Sequence, residues 1–193
     1  MALKTIIEYP DSRLRLKSSS VTSFNKELQT LVSDMAETMY ESNGIGLAAI
    51  QIAVAQRILV IDIGDMEIDE EFIEGDNESE SRLASKRTVK KLEVFINPEI
   101  ISSSGEIEYE EGCLSVPGVY ATVIRKNNLK IRYQDINGKT IEEETTGLKS
   151  IVLQHEMDHL DGVVFPDRLS AMNKMMILQR YTKLQKELVE EES

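Results

Sequence analysis

Apolar residues recur along this chain with two distinct periods. Between residues 24 and 41 they fall at Phe24, Leu28, Leu31, Met35 and Met39, spacings of four and three that predict a helix. Asn43-Gly44 follows, and either residue tolerates the positive φ that closes a helix C-terminus. Arg57–Ile63 is a short apolar run and predicts a buried strand. Strand patterns resume at Leu92–Ile101, Val119–Arg125 and Asn128–Ile136. Asn137-Gly138 predicts a type I′ hairpin turn, because both central positions of that turn take positive φ. Lys139–Thr145 is then the return strand. Leu148–Leu160 predicts a second helix, with Thr146 as N-cap and Gly162 as stop. Arg168 to about Glu190 predicts a last helix, with Ile177, Tyr181, Leu184 and Leu188 on one stripe. The helices flank a block of strands and do not alternate with them, which predicts an α+β fold. Mostly antiparallel strands pack around the central helix, with an N-terminal and a C-terminal helix beside them.

Gly64 to Lys91 breaks the pattern. It is acidic first, then basic at Arg82, Lys86, Arg87, Lys90 and Lys91, and it is poor in aromatic residues. Residues 65–91 are therefore expected to be a surface insertion in an otherwise single domain spanning 1–193, with 168–193 as C-terminal helix and tail. At 193 residues the chain can build one core and is short for two. The net charge of −12 is concentrated in the same segment. Nine acidic residues lie between Asp65 and Glu80 with no Lys or Arg among them, and the rest of the chain has 22 basic against 25 acidic residues. Nucleic-acid binding wants a cationic face, so direct binding of that kind is not expected. No run of eighteen uncharged apolar residues occurs, so no membrane-spanning helix is expected. The N-terminus shows no secretory pattern and there is one cysteine, so no intrachain disulfide can form and a cytoplasmic location is expected.

Histidine changes the picture most. The chain has two, His155 and His159, within Gln154-His155-Glu156-Met157-Asp158-His159-Leu160. On a helix, residues four apart face the same way, so two imidazoles can grip one metal ion while Glu156 handles a proton beside it. Histidines on the apolar stripe Leu148, Val152, His155, His159 could instead be hydrogen-bonded core residues. Two of them at ligand spacing around a carboxylate favour the metal, since burying that group uncompensated would cost several kcal/mol.

The third ligand is found by elimination. A metzincin continuation would place a histidine where Phe165 stands, although Gly162 fits. A thermolysin-type site would need a downstream Glu, and none lies between Met157 and Lys186. Aspartates and Cys113 remain, and a thiolate suits a borderline-soft metal better than a carboxylate does. Three protein ligands would leave a fourth position for water, as in catalytic sites. Gly44-Ile45-Gly46-Leu47-Ala48-Ala49-Ile50-Gln51 matches a dinucleotide fingerprint only superficially, because the segment before it has helical and not strand periodicity. Its glycines suit close backbone approach to an extended ligand, with the Gln51 amide as a donor.

Gly44–Gln51, Glu111-Gly112-Cys113-Leu114-Ser115 and Gln154–His159 together resemble the three hallmark motifs of the peptide deformylases, in the family's order. Tyr9-Pro10-Asp11-Ser12-Arg13-Leu14-Arg15 and Asn97-Pro98-Glu99 are similar too. The resemblance covers most of the chain outside 65–91 and the extreme C-terminus. It implies a metal held by Cys113, His155 and His159, usually Fe²⁺, with Zn²⁺, Ni²⁺ or Co²⁺ able to replace it. It implies Glu156 as general base and acid, with Gln51 and the Leu114 N–H stabilising the oxyanion. The implied substrate is an N-formylmethionyl peptide bound as an added strand along Gly44–Leu47, including Gly46, and along 109–111, including Glu111. Ile45, Tyr109, Leu148, Ile151 and Val152 would border the methionine pocket. Family members can also make a transient ribosome contact through basic residues of the C-terminal helix. Here Arg168, Lys174, Arg180, Lys183 and Lys186 precede an acidic end, Glu190-Glu191-Glu192, which works against it. Two rival readings stay open: another metallohydrolase, such as an aminopeptidase or protease, and an idle metal-binding protein. Formate release from formyl-Met peptides separates the first, and the second would not need Gln51 or Glu156.

Overall fold

The computed structural model describes residues 2–64 and 90–191. The expected insertion at 65–91 therefore lies almost wholly outside the described residues. Among them, three α-helices accompany seven strands: α1 Lys26–Glu41, α2 Gly147–Leu160 and α3 Ala171–Glu191. The strands are β1 Gly46–Ala48, β2 Ile58–Ile61, β3 Glu93–Ser104, β4 Ile107–Glu111, β5 Ala121–Arg125, β6 Asn128–Gln134 and β7 Thr140–Thr146. A five-stranded sheet has the order β1-β2-β3-β6-β7, and β4 pairs with β5 in a second sheet. Every pairing is antiparallel. The α+β architecture with terminal helices is as expected.

The large sheet is covered on both faces near β2, which explains that strand's unbroken apolar run. Leu59 and Ile61 point to the layer shared with α2, beside Phe95, Ile131, Leu153 and Leu160. Ile58 and Val60 point to the opposite layer, where Leu28, Val32, Met35 and Met39 of α1 pack. Successive residues of a strand face opposite sides, so a strand buried on both has no room for polar residues.

Helix boundaries follow local chemistry. Asn25 caps α1, its side chain accepting from Leu28 N at 3.0 Å, so Phe24 precedes the helix. Asn43 at φ 54° closes it, with Asn43 N donating to Tyr40 O at 3.0 Å and Gly44 N to Met39 O at 2.8 Å. This pair of bonds is the Schellman arrangement. Thr146 does occupy the N-cap position of α2, but its side chain makes no capping bond. Residues 165–168 form a separate 3₁₀ turn, so α3 begins at Ala171 and not at Arg168. Tyr181 is buried on that helix, whereas Leu188, expected on the same stripe, is 54% exposed.

The hairpin between β6 and β7 also differs from expectation. Gly138 has φ 82°, and Asn137 is not in the positive-φ region. Gly138 N donates to Asp135 O and Asp135 N to Lys139 O, both at 2.9 Å. A type I turn closed by one left-handed glycine therefore replaces the type I′ turn, the geometry of a three-residue hairpin loop.

The ends of the expected insertion are held together. Gly64 N and Lys91 N both donate to the carboxylate of Asp62 at 3.0 Å, and Tyr40 Oη donates to it at 2.5 Å. β2 and β3 on either side are antiparallel neighbours, with Ile61 opposite Glu93.

Candidate metal centre and peptide groove

Helix α2 is buried on nearly every side, from Leu148 through Leu160. Leu148, Val152, Leu153, Met157 and Leu160 face the large sheet. Its polar residues are thus carried into the interior, where each needs a partner. His155 and His159 stand with ring centroids 5.0 Å apart and planes at 74°. The loop after β4 delivers Cys113, whose Sγ lies 3.2 Å from His159 Nε2. The ligand atoms of Cys113, His155 and His159 all lie within 4.8 Å of one another, and all three residues are buried.

The donor set fits a divalent metal on its own chemistry. One soft sulfur and two imidazoles converge, the mixed set of donors that a borderline-soft ion takes. His155 is oriented from behind: its Nδ1 lies 2.8 Å from Glu111 Oε2. That bond to a carboxylate fixes the tautomer and leaves Nε2 for the cluster. Burial raises the Glu111 carboxyl, but hydrogen bonds from Arg125 and His155 outweigh it and hold its pKa at about 2. Burial holds His159 well below the usual imidazole range. His159 is therefore neutral at pH 7, the form that ligates. Burial also raises the Cys113 thiol, against the opposing pull of His155.

The remaining residues surround this cluster. Glu156 is buried and lies against the backbone of Gly46: a Cβ built on Gly46 would stand 2.5 Å from Glu156 Oε1. Gln51 is fixed at both ends of its amide. Its Oε1 accepts from Ala48 N at 2.8 Å, and its Nε2 donates to Ser115 Oγ at 3.2 Å while lying 3.8 Å from Cys113 Sγ. A cleft opens over these groups, lined by Gly44, Ile45, Gly46 and Gln51 on one side, Tyr109 and Glu111 to Leu114 on another, and Ile151, Val152, His155 and Glu156 below. Its cavity is about 30 Å³, room for one or two waters. A larger hollow of about 510 Å³ lies between Ser102 and Thr146 on the far end of the sheet, but holds none of this chemistry.

The structure brings together all but one of the expected site residues. Leu148 is absent from the cleft lining; it sits one turn earlier on α2, within the core against the sheet. His159 does not line the cleft either, being fully buried behind Cys113. Glu111 borders the cleft, while its carboxylate is taken up by Arg125 and His155. Arg125, Asp158 and Ser115 are site residues that the sequence reading missed. The signal for Arg125 was present: a lone arginine ending an apolar strand needs a buried counter-ion.

Arg168 and Lys174, expected among the basic residues of a C-terminal helix, form ion pairs within the chain while staying partly exposed. Arg168 Nε donates to Asp158 Oδ2 at 2.9 Å, and Lys174 Nζ pairs with Asp167 at 2.6 Å. α3 packs Tyr181 and Leu184 behind the Cys113 loop, beside Val116, Val119 and Phe165.

Three buried donors around one point and a buried carboxylate beside them, on an α+β frame, make the arrangement of a metal-dependent hydrolase. The comparisons with known proteins give the same class and narrow it. The polypeptide deformylase family profile matches residues 3–175. A peptide deformylase of Novosphingobium aromaticivorans is 49% identical over 187 residues, which is 96% of this chain and 99% of that protein. One of Erythrobacter litoralis is 46% identical over 190 residues, 95% and 98% of the two chains. The crystal structure of a peptide deformylase from Legionella pneumophila superposes with a TM-score of 0.81 at 40% identity, covering 97% of this chain and 98% of the other. This chain belongs to the polypeptide deformylase family. Among its described residues, no helix is long and apolar enough to cross a membrane.

Proposed function

We propose that this chain removes the formyl group from the N-terminal formylmethionine of newly made polypeptides, in the cytoplasm, and releases formate. The observation that carries the reading is the convergence of Cys113, His155 and His159, the first two of them lining a cleft that Glu156 and Gln51 line as well. These three residues hold one divalent ion, Fe²⁺ by the family's habit, with Zn²⁺, Ni²⁺ or Co²⁺ as substitutes. When bound, such an ion supplies Lewis acidity that can lower the pKa of water from about 15.7 to roughly 7.

The protein's own groups do the rest. Glu156 takes the proton of the attacking water and returns it to the departing amine nitrogen. Its placement against Gly46 keeps the carboxylate at the cleft floor. Gln51 needs no reorganisation to donate, because Ala48 and Ser115 already set the plane of its amide. With the Leu114 N–H it meets the developing oxyanion, and loss of one such donor typically costs about 2.7–4 kcal/mol. The peptide lies extended between β1, an edge strand of the large sheet, and β4, which pairs with β5. Backbone pairing to sheet edges gives affinity independent of sequence. Ile45, Tyr109, Ile151 and Val152 present an apolar wall suited to the flexible thioether of methionine. The tightness of the cavity favours a formyl carbon over a bulkier acyl group. A ribosome contact through α3 would rest on Arg180, Lys183 and Lys186, of which Lys183 also pairs with Glu187 on the same helix.

The test is product analysis with three Met-Ala-Ser peptides: formylated, acetylated and unblocked. Formate from the first alone is expected. Release of free methionine from the unblocked peptide would instead make the protein an aminopeptidase, and no product from any would leave it a metal-binding protein.

Residues 65–89 are expected to be dispensable for this chemistry. Asp62 already holds Gly64 and Lys91 together, so a short turn can join them. Long surface loops differ little in closure entropy, each doubling costing only about 0.6 kcal/mol. The shortened protein should fold, bind metal and keep kcat/KM on a formyl-Met tripeptide within about tenfold, equivalent to about 1.4 kcal/mol. A folded, metal-loaded deletion with far lower activity would make the segment a wall of the groove.

A further inference from the structure

His155 is the inner end of a chain of side chains that begins in solvent. Arg168, on the 3₁₀ turn before α3, has a side chain 48% exposed and grips both oxygens of Asp158. Asp158 Oδ2 also accepts from Arg125 Nη1 at 2.6 Å. Arg125 in turn clamps Glu111 with two parallel bonds, Nε to Oε1 at 2.6 Å and Nη2 to Oε2 at 2.9 Å. Glu111 Oε2 holds His155 Nδ1. Charges alternate along the chain, and Arg125 and Glu111 are almost wholly buried.

The geometry leaves little freedom at the inner end. The guanidinium of Arg125 is planar, so its forked grip sets the plane of the Glu111 carboxylate. That carboxylate sets the ring of His155. The orientation of Arg125 itself depends on Asp158, whose carboxylate is held on its other side by Arg168. A hollow of about 330 Å³ borders this outer end, lined by Arg125, Asp158, Arg168, Gln154 and Met157 among others. Water can therefore take the place of a missing Arg168 side chain, but cannot supply a fixed fork.

We propose that Arg168 is a positioning residue for the metal centre: through Asp158, Arg125 and Glu111 it fixes the ring of His155 and so sets the affinity for the divalent ion. This rests on the reading of Cys113, His155 and His159 as ligands. A simple charge effect would have the opposite sign. Removing a cation leaves the surroundings more negative, which would tighten binding of a metal ion, though half-exposed charges are heavily screened. Positioning predicts weaker binding.

The experiment measures the Co²⁺ dissociation constant by chelator competition, with the visible Co²⁺ spectrum recorded, for the full-length protein and three variants. Arg168→Gln should bind about tenfold more weakly, the lower end of the roughly 10–100-fold cost of losing an outer partner of a ligand, with an altered spectrum. Asp158→Asn should weaken binding as well, and adding Arg168→Gln to it should cost little more, because the two act in series. Lys174→Gln removes a neighbouring contact to Asp167 without touching the chain, and should leave the affinity unchanged. Unchanged or tighter binding by Arg168→Gln, or full additivity with Asp158→Asn, would overturn the proposal. A parent protein that takes up no Co²⁺ would overturn the ligand assignment itself, and the proposal with it.

Discussion

Glu156→Ala should retain its metal and lose at least about 10²–10⁴-fold in kcat, the range for general acid–base catalysis. Glu156 lies between the two histidines in sequence, but the mutually close donor atoms are those of Cys113, His155 and His159. Its carboxylate instead abuts Gly46 on the edge strand β1. A residue that moves a proton and ligates nothing should be separable from metal content. Gly46→Ala provides a milder companion: the new Cβ would meet Glu156 Oε1 at 2.5 Å and its Cγ and Cδ at 3.0 Å. The flexible carboxylate can move aside with little loss of stability, but it then leaves the position from which it reaches the water. We expect kcat to fall about tenfold, or about 1.4 kcal/mol, at unchanged metal content. A Glu156→Ala protein with near-normal kcat would contradict the assigned role.

Cys113→Ala should lose metal, and activity only as a consequence. No third histidine exists, and Sγ of Cys113 stands within the ligand cluster, 3.2 Å from His159 Nε2. Loss of an outer partner of a ligand already costs roughly 10–100-fold in affinity, and loss of the ligand should cost at least about 100-fold. After dialysis the metal-to-protein ratio should fall far below that of the parent. Cys113 also packs beside Val116, Val119 and Phe165, so truncation removes some core contact. Thermal unfolding of the metal-free forms separates the two effects: it should shift only slightly between parent and variant. Unchanged metal occupancy would move the third ligand to a carboxylate.

Much of this was legible in the sequence, for identifiable reasons. α1 and β2 could be read because burial imposes a period on one and an unbroken apolar run on the other. The pair His155 and His159 was legible because helix geometry turns a spacing of four into a shared face. Cys113 followed by elimination, and the motif resemblance supplied the roles of Gln51 and Leu114. β1 escaped the periodicity, since three residues of a glycine-rich segment are too few to display one. Leu148 was placed at the pocket border by the motif resemblance, and in the structure it packs within the core on α2, which is buried almost all round. Arg125, Asp158 and Arg168 were missed as partners because their ion pairs join residues from 10 to 33 positions apart, in a series from Arg168 to Glu111 that exists only in three dimensions. The turn at Gly138 went wrong because Asn-Gly serves two hairpin geometries, and the register of β6 against β7 selected the longer loop.

The central claim is that Cys113, His155 and His159 hold the ion on which deformylation depends. Its most direct test takes protein purified without oxygen and measures metal content and formate release from formyl-Met-Ala-Ser on the same sample. Both are measured again after chelation and after restoring Fe²⁺. One divalent ion per chain is predicted, with activity lost on chelation and regained in proportion to the metal restored. A stripped protein that continues to release formate at the original rate would contradict the account.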